Sequence, residues 1–172
     1  MSQEQVNLDV TITDKDMFDF NLYHTYHSKN GWLAIIFGVA AVVAAVATYG
    51  TVKQAYTTIY VVIGIVMLIY EPYAVWSNSK RQMRVNEVLR NPLHYAIDAS
   101  GVRVTTDVEV EGDRTATLQW KQVYKVVHTR KALYIFSGKT NAYIIPNHYT
   151  EDNWNALSKI IVRNVEDFKR KL

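Results

Sequence analysis

The residues of this chain that could do chemistry are few and dispersed. His24 and His27 stand three apart and could share a helix face, as a metal pair would. No carboxylate or third ligand lies at a supporting position, so neither a metal nor a cofactor is expected. His94, His128 and His148 read as isolated. Asp107, Glu109, Glu111 and Asp113 alternate along a strand toward a turn, which reads as a solvated hairpin tip rather than a cation site. Arg130 and Lys131 occupy another tip and could touch phosphates. The 172 residues include no cysteine, so thiol nucleophiles, disulfides and cysteine metal sites are excluded. There is no Gly-rich phosphate loop and no Gly-x-Ser-x-Gly elbow. No catalytic constellation emerges, and an enzyme is not expected. With a formal net charge of +3, the basic excess is modest, and no nucleic-acid partner is expected.

Two groups are better placed to act. Glu71 closes a long apolar run, and a carboxylate inside a membrane is a functional candidate by default. Pro72 follows it at once. Proline removes a helix hydrogen bond and disfavours helix at the residue before it. The first reading is therefore that the span ends at Glu71, with Tyr70, Tyr73 and Trp76 in the interfacial belt. The second is a kinked helix continuing to Trp76. Lys80, Arg81, Arg84 and Arg90 come next. They are candidate lipid-facing residues, worth about 1 kcal/mol each beside anionic headgroups. They also read simply as a positive-inside anchor.

The elements that must carry these groups begin with two uncharged stretches, Gly31 to Val52 and Gln54 to Tyr70, with Lys53 between them. Hydrocarbon offers backbone groups no water, so an uncharged run of about 20 residues is what a spanning helix needs. A transmembrane helical hairpin over residues 31–76 follows, with spans of about 31–52 and 54–76. Ala45-Val46-Ala47 resembles a signal-peptidase site, but the preceding segment is long and acidic and a second apolar run follows directly. Ala34, Gly38, Ala41, Ala45 and Thr48 share one face of the first span, and Gly64 lies on a similar stripe in the second. Small residues let helices approach closely in lipid, so Ala34, Gly38, Ala41, Ala45 and Gly64 are candidate helix-packing positions. A homodimer seam is the other use of such a stripe.

Residues 1–30 read as a strand over Val6 to Thr13 and an interfacial helix capped by Thr13 or Asp14, with Met17, Phe18, Leu22, Tyr23 and Tyr26 on its apolar side. The lone strand should pair with the C-terminal sheet. Residues 77–92 read as a basic helical linker ended by Pro92. Residues 93–172 read as a small antiparallel β domain of strands 95–98, 102–110, 114–120, 123–128, 132–136 and 142–145, with Trp120 in its core. A helix from Thr150 closes it, with the stripe Trp154, Leu157, Ile161, Val165 and Phe168. The fold class is α+β, and the closed sheet is a pleckstrin-homology-like (PH-like) arrangement.

The sequence resembles the bacterial YcxB-like family. The resemblance rests on the order of YAIDASGV, LQWKQVYKVV, ALYIF, AYIIP and a helix beginning TEDNW, after two spans and a basic linker. Asn147 departs from it, since a basic residue is expected after Pro146. The resemblance implies a membrane protein with a PH-like cytoplasmic domain, and no catalytic residues. From Ser77 onward there are 16 Lys and Arg against 10 Asp and Glu, and basic residues beside a span stay cytoplasmic. The expected location is the cell membrane, multi-pass, with both termini cytoplasmic. The expected function is a non-enzymatic, membrane-anchored module that presents the PH-like domain for protein or anionic-lipid interaction. Its partners would be membrane lipids, a protein, or further copies of itself. The alternative is a small oligomeric transport or pore-forming subunit with Glu71 near the pathway.

Overall fold

The computed structural model describes residues 5–27, 31–109 and 113–172. The chain divides into two compact units, one of residues 1–20 and 82–172, the other of residues 21–81. The expected turn at Glu111-Gly112 and the end of its strand at Val110 lie outside the described residues.

The first unit is built on alternation. β1 (Val6–Val10) buries every second residue, and it pairs antiparallel with β2 (Leu93–Ile97), with Val6 opposite Ile97 and Val10 opposite Leu93. This is the pairing expected of the lone N-terminal strand. β2 pairs with β3 (Gly101–Thr106), and β3 with β4 (Thr115–Gln119), giving the sheet order β1-β2-β3-β4. The buried row Leu8, Tyr95, Val104 shows how the register aligns one apolar face across strands. The strand expected over 102–110 is shorter and ends at Thr106, so Asp107 and Glu109 lie beyond it.

The second sheet has the order β7-β6-β5-β8. β5 (Lys125–His128), β6 (Ala132–Phe136) and β7 (Ala142–Pro146) are antiparallel. Every residue of β6 is buried, as a strand covered on both faces requires. Tyr134 and Phe136 share one face, and Phe20 packs there with ring centroids 5.4 and 5.9 Å away. Phe20 belongs to α1 (Asp14–His27), the segment expected to lie on the bilayer. Its start is fixed by a capping box: Thr13 and Asp16 exchange backbone and side-chain bonds of 2.9 and 3.2 Å. Met17, Asp19 and Phe20 are its buried residues, so the helix's first turns cover the sheet instead of lipid. Phe18 and Leu22 are half-buried.

After β7 come a single turn α6 (Asn147–Thr150), a 3-10 turn (Glu151–Asn153) and α7 (Trp154–Asn164). α7 buries Leu157, Ile160 and Ile161. It is shorter than the apolar stripe implied. Val165 turns to extended backbone, Phe168 is 82 % exposed, and Arg170–Lys171 forms β8, parallel to β5. The Arg170 guanidinium instead donates to the Val162 and Val165 carbonyls at 2.6 Å, so it still satisfies the helix end.

The second unit is helical. α2 (Gly31–Ala47) is 17 uncharged residues, followed by a turn. α3 (Gln54–Ile65), a π-helical turn (Val66–Tyr70) and α4 (Glu71–Val85) run on as one helix, Gln54–Val85, long and apolar enough to cross a membrane. The helix does not stop at Glu71 and Pro72, nor at Trp76. Proline cannot donate to a carbonyl four residues back and crowds it. The widened turn absorbs that defect: the Glu71 amide donates to the Val66 carbonyl, five residues back. The helix ends at Asn86, whose side chain accepts from the Leu89 amide and caps the short α5 (Glu87–Arg90). Residues 77–92 are thus the end of the long helix plus one separate turn, not a linker helix of their own.

Candidate functional site

Along α2, Gly38, Ala41 and Ala45 are buried and Ala34 is half-buried, while Phe37, Val43 and Val46 are exposed. On the facing helix Gly64 is buried. A Cβ on Gly64 would fall 2.9 Å from the Val42 side chain, and one on Gly38 would fall 2.7 Å from the Leu68 side chain, so either would force its neighbour to shift. Gly38 and Gly64 therefore lie in the contact between α2 and the long helix. The other faces carry apolar side chains outward: Ile59, Ile65 and Ile69 are at least half exposed.

Glu71 is half-buried and close enough to Tyr26 to help raise its phenol pKa, although burial is the larger cause. Further along, the Lys80 ammonium sits 4.0 Å over the Trp76 ring, an aromatic and cationic pair suited to a membrane–water boundary. Ser79 is fully buried, donates to the Val75 carbonyl and accepts from Asn21 at 2.9 Å. Arg81 and Arg84 are exposed on α4, and Arg90 is exposed on α5, beyond the break at Asn86.

The histidines resolve differently from their sequence reading. His27 stacks on Tyr23 at 4.2 Å and contacts its carbonyl. Among the described residues no three His, Asp or Glu side chains are grouped to hold a metal ion. His94 is not isolated: its Nδ1 meets Asp9 at 2.6 Å and its Nε2 meets Asp107 at 3.1 Å. The hydrogen bond to Asp9, then that to Asp107, raises its pKa. His128 stacks on Trp154 at 4.0 Å. At the β5–β6 tip, Lys131 is not free for phosphate, since its ammonium binds the buried Asp19 carboxylate at 2.5 Å. Asn147 donates to the Thr129 and Lys131 carbonyls at 3.0 Å and leaves its Oδ1 buried without a partner among the described residues.

The cleft that sequence reasoning missed lies at the opposite signal, Trp120. Trp120 is buried, as expected, but in a 3-10 turn after β4 rather than at the end of a strand. Its indole donates to the Asp98 carbonyl at 2.8 Å. Asp98 accepts from the Ser100 amide and hydroxyl, and these bonds, the hydroxyl first, hold its carboxyl below the usual range. Gly101 closes this turn where a Cβ would overlap the Leu118 carbonyl. Together these walls bound an open cleft of about 400 Å³, with Ser100, Gln119, Lys121, Arg163 and Asn164 around the indole. The hint in the sequence was the Asp-x-x-Gly turn and the Trp, read there only as structural signals.

Comparison with curated proteins and with solved structures finds no match. The model of the family described as YcxB-like protein does match, over residues 98–161. That stretch opens at the turn beside Trp120 and closes within α7, so the likeness to YcxB-like proteins lies in the β unit.

Proposed function

We propose that this chain is a membrane-anchored, non-enzymatic module that presents a PH-like domain at the cytoplasmic face for protein or anionic-lipid interaction. One observation carries the anchor. Val10 and Leu93 are register partners, so the chain leaves the first sheet and returns to it at one point. Whatever lies between must then cross a bilayer an even number of times. Gln54–Val85 supplies one crossing. α2 is the element available for the other: it is uncharged and about 26 Å long at 1.5 Å per residue. The outward-facing apolar side chains of both helices favour the same reading, because water would leave that surface unsatisfied. Lys80, Arg81 and Arg84 then orient the pair with both ends inside.

The chain has no native thiol, so single cysteines report topology cleanly. An impermeant maleimide applied to intact cells is expected to label Thr51→Cys and not Ser137→Cys. Labelling of Ser137→Cys would overturn the orientation, and recovery of the full chain in the soluble fraction would overturn the anchor.

A further inference from the structure

We propose that the cleft around Trp120 binds a phosphate group. Its cations are Lys121 and Arg163, both exposed, and among the described residues neither is in an ion pair. Among the described residues no carboxylate lines it. The nearest acidic residue in sequence, Asp98, is already occupied by Ser100. The end of α7 would ordinarily oppose an anion, because unsatisfied carbonyls carry partial negative charge there. Here Arg170 covers the Val162 and Val165 carbonyls, and Asn164 covers that of Ile160. Two cations thus line the cleft, against the one Asp98 carboxylate that Ser100 holds beside it.

The walls are also preorganised. The Gln119–Gln122 capping box holds the turn that carries Lys121, and the Trp120 indole bonds that turn to Asp98. A guanidinium fork and an ammonium from two different elements suit the spread oxygens of a phosphate better than a two-oxygen carboxylate. The volume, near the low end of small-molecule sites, admits a phosphate with a few carbons against the indole. A lipid headgroup and a soluble phosphate ester share this chemistry. The inference rests on reading the β unit as a binding module, and its test does not depend on the membrane anchor.

Detergent-solubilised full chain is titrated calorimetrically with glycerol phosphate at fixed ionic strength. Saturable binding is expected, weakened about tenfold in Lys121→Gln and in Arg163→Gln. Lys159→Gln, on the same helix as Arg163, should bind as the parent does. The titration is repeated in nanodiscs of neutral and of phosphatidylglycerol lipid. Weaker binding in the anionic discs alone identifies a headgroup as the source, and equal binding identifies a soluble ester. Absence of binding, or equal loss in Lys159→Gln, would overturn the proposal. Topology labelling is untouched by these substitutions, so failure here is separable from failure of the anchor.

Discussion

His94 is the second residue of β2, with a carboxylate at each ring nitrogen, Asp9 from β1 and Asp107 from beyond β3. Such a clamp holds the protonated imidazole in preference to the neutral one. Its folded pKa is raised above 6.5, so the stability it contributes is complete below about pH 6.5 and is lost as pH climbs through the raised value. The parent chain should lose stability as pH rises above about 6.5, and His94→Gln should flatten that slope. An imidazole titration by NMR with a midpoint at or below 6.5 would refute the clamp. Trp120 makes a second prediction at this scale. Trp120→Ala removes a buried indole and its bond to Asp98, at a cost of about 3–5 kcal/mol in denaturant unfolding. An unchanged midpoint would mean the ring holds nothing together. Trp120 was legible as core because it ends an alternating run. The His94 clamp was not, because Asp9 is brought beside it only by strand pairing between distant segments. Lys131 was misread for the same reason, its partner Asp19 being supplied by α1.

At the scale of elements, periodicity located most strands to within a few residues, because β2 and β3 each keep one face buried. It failed where another effect governed. The long helix passes Pro72 because a π turn relieves the proline, and nothing in residue types announces such a turn. α7 stops early although the stripe continues, because Val165 turns to extended backbone and the chain returns as β8. α1 was given to the bilayer because its aromatics fit either an interface or a sheet, and pattern alone does not choose. The small-residue stripe makes the sharpest prediction here. Gly64→Leu should loosen the contact with α2, since its first new atom already falls 2.9 Å from Val42. Overpacking of this kind costs about 1–3 kcal/mol, read as a lower melting temperature in detergent. Val46→Leu, on the exposed face, should melt as the parent does.

At the scale of the whole molecule, the alternation of the N-terminal segment called for pairing with the C-terminal sheet, and residues 6–10 do belong to it. That membership makes residues 21–81 an insertion within the first unit's own chain rather than a segment preceding it. The family match over residues 98–161 covers only the part that is continuous in sequence.

The pairing of β1 with β2 also sets an order of events in biosynthesis. Residues 6–10 leave the ribosome long before residues 93–97, so Val6, Leu8 and Val10 wait without a partner while the helices are made. Closing so long a loop is slow, and an unpaired alternating strand is a template for wrong pairing in the meantime. A chain stalled before Leu93 would hold that strand exposed, and only release of β2 would retire it.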